Sequence, residues 1–178
     1  MKTTLFLLLG YPGSGKSTFS QELEAARDLT RVNSDDLRRY MFEHIEQIHD
    51  PANNPAVFGA LDYVTERLLQ AGRSVLYDAN NNRRAERSKH QKIAELAGAR
   101  MVVLWVRSPL ETAWLRNQQR TPENGYPAIP RKRYDQIVHA LEVPTDNEKA
   151  VIISGLEPFE VQLASFDVQL EAVERTNG

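Results

Sequence analysis

The 178-residue sequence contains no cysteine and no apolar run near the ~20 residues that a membrane-spanning helix needs. The first absence excludes disulfide bonds and thiolate metal sites. Basic charge is not in excess either: the formal net charge is −2, so contact with nucleic acid should be local rather than extended. The apolar residues near the N-terminus lead directly into Gly10 and Pro12, unlike a signal peptide. We therefore expect a cytoplasmic protein with no membrane partner.

Short apolar runs alternate with amphipathic patterns along most of the chain, which predicts an α/β fold with a five-stranded parallel sheet flanked by helices. We expect one domain over residues 1–178. The predicted strands are Leu5–Leu9, Arg31–Asn33, Ser74–Tyr77, Met101–Val106 and Val151–Ser154. The predicted helices are Lys16–Ala26, Ser34–Phe42, Val57–Gln70, Arg83–Leu96, Pro109–Gln119 and Arg131–Leu141. The pattern favours loops at His49–Pro55 and Thr121–Pro130 and a weakly patterned tail from Phe159 onward. Polar residues that follow the strands, among them Gly10, Asn33, Asp78 and Arg107, should gather at one edge of the sheet.

The letters GYPGSGKS at residues 10–17 match the phosphate-binding loop pattern G-x-x-x-x-G-K-[ST] in full, between a strand and a helix. Glycines let backbone N–H groups converge on phosphate oxygens, and the following helix adds its dipole. The pattern predicts ATP binding, with Lys16 on the β- and γ-phosphates and Ser17 as a ligand of Mg²⁺. The predicted nucleotide-binding residues of this loop are Gly10, Pro12, Gly13, Ser14, Gly15, Lys16, Ser17 and Thr18.

Two acidic residues and an arginine follow the second predicted strand. Asp35 and Arg38 are three residues apart and share one face of the predicted helix, whereas Asp36 lies about 100° around it and should point elsewhere. Phosphoryl transfer to an alcohol needs a carboxylate to accept the proton and a cation beside the phosphate, and Asp35 and Arg38 suit these catalytic roles. The alternative is that Ser34 or Asp35 only caps the helix.

The third predicted strand ends at an acid. Asp78 after an apolar strand resembles the position that holds Mg²⁺ in many nucleotide-binding proteins, directly or through water. Of the three asparagines that follow, only Asn80 is a weak functional candidate. We expect Asn81 and Asn82 to serve as turn formers.

A basic segment lies at about residues 107–133. It contains six basic residues against Glu111 and Glu123. Arg116 and Arg120 share a helix face, and neither has an acid four residues earlier. This composition predicts a helical lid that closes over the ATP phosphates, with Arg120 catalytic and both arginines binding nucleotide. An ordinary basic surface is the alternative.

These motifs together resemble the polynucleotide 5′-hydroxyl kinase family, namely the phage enzyme's kinase domain and its bacterial RNA-repair relatives. The resemblance runs through GYPGSGKST, VNSDDLRRYMF, LYDANNNRRAER, LRNQQR and AIPRKRYDQI. It implies a P-loop kinase fold, ATP and Mg²⁺ as cofactors, and a nucleic acid 5′ end as acceptor. The family's site residues fall here on Lys16, Ser17, Asp35, Arg38, Asp78, Asn80, Arg116 and Arg120.

Two other functions remain open at the level of sequence. Zeta toxins and small P-loop kinases of sugars, antibiotics, nucleosides or nucleotide sugars share the phosphate-binding loop, and the −2 charge suits a small acceptor. The chain could instead be an ATP-binding switch that transfers no phosphate. Asp35 argues against the switch, because a switch needs no base directed at an alcohol.

Overall fold

The computed structural model describes residues 2–44, 47–48, 50–121 and 127–175. In these residues a five-stranded parallel sheet has helices on both faces, and the strand order is β2-β3-β1-β4-β5. The strands are β1 (Thr4–Leu9), β2 (Thr30–Asn33), β3 (Val75–Asp78), β4 (Arg100–Arg107) and β5 (Val151–Ser154). The helices are α1 (Lys16–Ala26), α2 (Ser34–Met41), α3 (Asn54–Gln70), α4 (Arg84–Leu96), α5 (Leu110–Gln118), α6 (Arg131–His139) and α7 (Phe159–Arg175).

Strand β1 is central and all six of its residues are buried, because helices cover the sheet on both sides. Successive side chains of the strand enter opposite hydrophobic layers. Phe6 and Leu8 pack in the layer that includes α1 and α7, whereas Leu5 and Leu7 pack in the layer that includes α3 and α4. The same alternation places neighbouring residues of β3 in different surroundings, which matters for the site.

The α/β class and the five parallel strands are confirmed, but two local predictions are wrong. Helix α3 begins at Asn54 rather than Val57, because Pro55 lies in its first turn, where a missing N–H costs nothing. The chain after Phe159 is not a weakly patterned tail: it forms the 17-residue helix α7. Phe166 and Leu170 of this helix enter the core beside Phe6. Residues 122–126 of the predicted lid and loop lie outside the described residues.

The polar strand ends do gather at one edge of the sheet. Asn33 Nδ2 donates to the carbonyl of Asp78 at 3.1 Å, and the N–H of Gly155 donates to the carbonyl of Arg107 at 2.6 Å. Gly10 follows the central strand between them. No helix within the described residues is both long enough and apolar enough to cross a bilayer.

Candidate active site

A cavity of about 460 Å³ opens beside the phosphate-binding loop. Its walls come from that loop, from the end of α5 and from the connection between β5 and α7. Of the residues predicted to bind nucleotide, the lining contains Gly13, Gly15, Lys16, Ser17, Thr18, Arg116 and Arg120. Gly10, Pro12 and Ser14 lie outside this lining, and Ser14 is fully buried.

The glycines of the loop are required by its path. Gly13 has φ +81°, and a Cβ at this position would lie 2.1 Å from the carbonyl oxygen of Ala113. The loop therefore packs directly on α5, which carries Arg116. The helix ends at Gln118, so Arg120 lies beyond it, and the prediction that the two arginines share a helix face is wrong. The contact joins the phosphate-binding loop to the base of the predicted lid.

Lys16 folds back onto its own loop. Its Nζ donates to the carbonyls of Gly10 at 2.7 Å and Tyr11 at 2.9 Å. Burial lowers the pKa of Lys16 to about 8, although Asp78 and Asp35 nearby raise it. The ammonium therefore stays mostly charged at neutral pH, as a phosphate partner requires.

Asp35 lies in the first turn of α2, where burial and the charge of Asp78 raise its pKa despite the opposing effects of Arg38 and Arg120. No hydrogen bond to its carboxylate is found within the described residues. The cap of this helix is Asn33, whose Oδ1 accepts the N–H groups of Asp35 at 2.9 Å and of Asp36 at 2.8 Å. The alternative that Ser34 or Asp35 caps the helix is therefore wrong.

Arg38 points toward α3. Its guanidinium donates to the side chain of Asn54 and to the carbonyl of Ile48 at 3.4 Å, and it lies 5.7 Å from the ring centroid of Phe58. Arg38 is thus held between α2 and α3, outside the lining of the cavity. It still acts on Asp35, because its charge lowers the pKa of that carboxyl.

Asp78 is buried at the end of β3, and the hydrogen bonds that described side chains make to its carboxylate all fall on Oδ2. That oxygen accepts from Ser20 Oγ at 2.8 Å and from Arg31 Nη2 at 2.7 Å. Oδ1 is left for an ion or its water, and the exposed hydroxyl of Ser17 is an oxygen donor of the kind Mg²⁺ prefers. The two residues fit the predicted metal role, although no cluster of three or more acidic or histidine ligands occurs among the described residues.

Arg116 joins α5 to the connection after β5. Its Nη1 donates to the carbonyl of Gly155 at 2.8 Å and approaches Ser108 Oγ at 3.4 Å. A Cβ at Gly155 would lie 2.0 Å from the carbonyl oxygen of Ser14, so only glycine allows this connection to reach the phosphate-binding loop. Sequence reasoning missed this wall of the cavity, which also includes Pro158 and Phe159. The only signal was a lone glycine after a predicted strand.

Asn81 and Asn82 are more than turn formers. Both are 2% exposed. Asn81 Nδ2 donates to the carbonyl of Leu8 at 3.0 Å, and the N–H of Gly10 donates to Asn82 Oδ1 at 3.3 Å. The two amides thus hold the start of the phosphate-binding loop against the end of β3. No fixed spacing links residues 72 positions apart, so the sequence carried no signal for this role.

Comparison with known proteins supplies the family and the fold. Residues 5–144 match the family described as an AAA domain. Kti12 of Chaetomium thermophilum, solved in complex with ADP-AlF3, shares 20% identity at a TM-score of 0.76 over 94% of this chain and 98% of that one. A chain of the Pnkp1/Rnl/Hen1 RNA repair complex shares 24% identity at a TM-score of 0.67. That match covers 83% of this chain and 45% of the other, so this chain spans less than half its length.

A gluconokinase from Sinorhizobium meliloti 1021 has the same fold at 15% identity and a TM-score of 0.67, with 98% of this chain and 94% of that one covered. No curated protein sequence matches this chain. These similarities establish a P-loop kinase architecture and leave the acceptor to be argued from the site.

Proposed function

The chain belongs to the AAA domain family and has the fold of P-loop kinases, and from this premise we propose that it transfers the γ-phosphate of ATP to the 5′-hydroxyl of a polynucleotide. The observation that carries the proposal is Asp35. Its carboxylate has a raised pKa and lies within electrostatic reach of Lys16 and Arg120, which line the phosphate end of the cavity. A base beside phosphate-binding cations is what transfer to an alcohol requires and what a nucleotide switch lacks.

In the proposed reaction Asp35 accepts the proton of the acceptor hydroxyl as its oxygen bonds to the γ-phosphorus. The bond between that phosphorus and the β–γ bridging oxygen breaks, and ADP leaves with the electron pair. Lys16, Arg116 and Arg120 neutralise charge on the phosphates, which stabilises the transition state most where the charges are fixed in advance. A magnesium ion held by Ser17 and Asp78 would supply further neutralisation of the phosphate charge.

Two observations support a polynucleotide acceptor. Asp35 and Arg38 keep the Asp-x-x-Arg spacing through which the chain resembles polynucleotide kinases, and Arg38 is held between α2 and α3 by Asn54 and Phe58. Identity to a chain of an RNA repair complex is 24%, against 15% to the gluconokinase. Because the net charge is −2, we propose contact with the strand terminus only.

A small-molecule acceptor is the second candidate. The gluconokinase aligns over nearly the whole of both chains, and the chain lacks the overall basic charge that an extended nucleic-acid track requires. The same base and the same cations would serve a sugar or nucleoside hydroxyl equally well. The two candidates therefore differ in the acceptor and share the chemistry.

The test is transfer of labelled phosphate from ATP to a panel of acceptors. The panel contains DNA and RNA oligonucleotides with a 5′-hydroxyl, the same oligonucleotides with a 5′-phosphate, nucleosides, sugars and nucleotide sugars. We expect labelling of the 5′-hydroxyl oligonucleotides and none of their 5′-phosphorylated partners. Labelling of small molecules alone would show that the acceptor is a small molecule rather than a polynucleotide. ATP binding without any transfer would favour the non-catalytic switch.

A further inference from the structure

Arg31 is a buried cation that no motif singled out. It lies on β2, and its side chain is 9% exposed. It contacts two carboxylates: Nη2 is 2.7 Å from Asp78 Oδ2, and Nη1 is 2.8 Å from Asp36 Oδ2. Its Nε also donates to Asp78 Oδ2 and Ser20 Oγ, each at 3.0 Å. One guanidinium therefore joins β2, the end of β3, α1 and the first turn of α2.

The register of the sheet explains how one side chain reaches these groups. Arg31 pairs with Leu76 and Asn33 pairs with Asp78 in the parallel β2–β3 ladder. Residues two apart on a strand face the same side, so Arg31, Asn33 and Asp78 share the face covered by α1. The direct continuation of β2 into α2 then brings Asp36 within reach of the same guanidinium.

Asn33 makes a second link between the same elements. Its Oδ1 accepts two N–H groups from the first turn of α2, while its Nδ2 donates to the carbonyl of Asp78. The turn that carries Asp35 is thus attached to Asp78 twice, once through backbone groups and once through the Asp36–Arg31–Asp78 bridge. Asp36 is accordingly not an uninvolved neighbour of Asp35, as the spacing suggested.

We propose that Arg31 is a positioning residue for phosphoryl transfer: it holds the first turn of α2, and with it the base Asp35, in fixed relation to Asp78 and the phosphate-binding loop. Arg31 is hydrogen-bonded to no residue of the cavity lining and acts through Asp36, Asp78 and Ser20. The proposal rests on the proposed kinase function. Displacement of a catalytic group by about 1 Å can lower the reaction rate about a hundredfold. The link from Arg31 to α2 should therefore affect turnover more than ATP binding.

The test compares Arg31→Met, Arg31→Lys and Asp36→Asn with the parent, using whichever acceptor the panel identifies. We expect Arg31→Met to lower kcat at least tenfold while the Kd of ATP changes less than threefold. Arg31→Lys should recover part of the loss, because an ammonium can still pair with Asp78. Asp36→Asn should lower kcat less than Arg31→Met. When combined with Arg31→Met it should add little, because both changes break one link.

The matched control is Arg73→Met, which removes an exposed Arg–Asp pair with Asp28 away from the cavity and should leave kcat unchanged. Equal losses in kcat and ATP affinity that follow a fall in melting temperature would overturn the proposal, because a merely structural role predicts them. So would a kcat within threefold of the parent. If Arg31→Met does not fold, Asp36→Asn decides: no loss of kcat in that variant overturns the proposal. Lack of oligonucleotide labelling by the parent protein would count against the acceptor alone.

Discussion

The carboxylates of Asp35, which is half-buried, and Asp62, which is buried, lie on neighbouring helices, and their pKa values move in opposite directions. Burial raises the pKa of both groups. At Asp62 hydrogen bonds from His90, Lys89 and Tyr77 outweigh burial and lower the pKa to about 2. At Asp35 the charge of Asp78 adds to burial, and the pKa is raised.

The difference lies in the number of donors that surround each group. Tyr77 Oη donates to Asp62 Oδ1 at 2.8 Å, Lys89 pairs with Oδ2, and His90 Nε2 lies 3.1 Å from Oδ1. Asp62 is therefore satisfied as an anion and unsuited to accept a proton. No donor among the described residues reaches the carboxylate of Asp35, which is the condition a general base needs. Burial alone therefore does not distinguish a general base from a structural anion. The hydrogen bonds to the carboxylate do distinguish them.

Removing a lysine from each environment should give the largest contrast. Lys16→Ala should lower kcat about a hundredfold to a thousandfold, because preorganised charge at the transferring phosphate contributes about 3–4 kcal/mol. Lys89→Ala removes the exposed partner of Asp62 and should leave kcat nearly unchanged. Steady-state kinetics of both variants checks this, and near-normal turnover by Lys16→Ala would mean that the active site lies elsewhere.

Asp35→Asn should lower kcat about a hundredfold or more, since a positioned general base contributes at least that much. The fold and ATP affinity should hold, because Asn33 rather than Asp35 caps α2. The measurement is kcat with ATP titration and thermal unfolding alongside. Full activity in this variant would reject the base and favour the non-catalytic switch.

Asp62→Asn should act on stability and spare chemistry. Asparagine cannot serve as an anion for these donors, of which Tyr77 and His90 are buried, so the free energy of unfolding should fall by about 1–3 kcal/mol. Turnover per folded molecule should stay within about threefold of the parent, since no catalytic contribution is lost. Denaturant unfolding and kcat should be measured on the same preparation of Asp62→Asn. A large loss of kcat in the folded variant would show that Asp62, like Asp35, contributes to catalysis.

Substitution of the two arginines of the predicted lid should test how much positive charge near Asp35 contributes to turnover. Arg120→Ala should lower kcat about tenfold with a smaller effect on the Kd of ATP, because a cation closing on developing charge acts mainly in the transition state. Arg116→Ala should lower kcat less. Since Arg116 also donates to the carbonyl of Gly155, its loss should loosen one wall of the cavity. Loss of ATP affinity with unchanged kcat in Arg120→Ala would indicate ground-state binding instead.

Lowering the pH should affect activity through Asp35 and stability through Asp62 in different pH ranges. A base with a raised pKa loses activity as pH falls through that pKa, so the acid limb of kcat/KM should lie above pH ~4, the ordinary value for aspartate. A depressed pKa works in the opposite sense: the stability from Asp62 is complete above pH ~4 and is lost as pH falls toward about 2. The melting temperatures of the parent and Asp62→Asn should therefore converge only below pH ~4. Convergence at neutral pH would contradict the depressed pKa.

The sequence by itself determined those features that depend only on neighbouring residues along the chain. The phosphate-binding loop, the boundaries of α1 and β5, and the parallel sheet follow from spacing, glycine placement and apolar runs. The position of Asp35 after the second strand belongs to the same class. Its role as a base stays a prediction, as do the roles of Arg38, Asp78 and the lid arginines.

Tertiary structure alone decided the parts that depend on distant neighbours. Helix α7 lacked a clear pattern, yet Phe166 and Leu170 become core residues once they meet Phe6. The role of Arg31 arises because the β2–β3 register brings it to Asp78, 47 residues away. Periodicity records only which face of its own element a residue occupies, whereas burial and the charges opposite depend on chain segments that meet only when the protein folds.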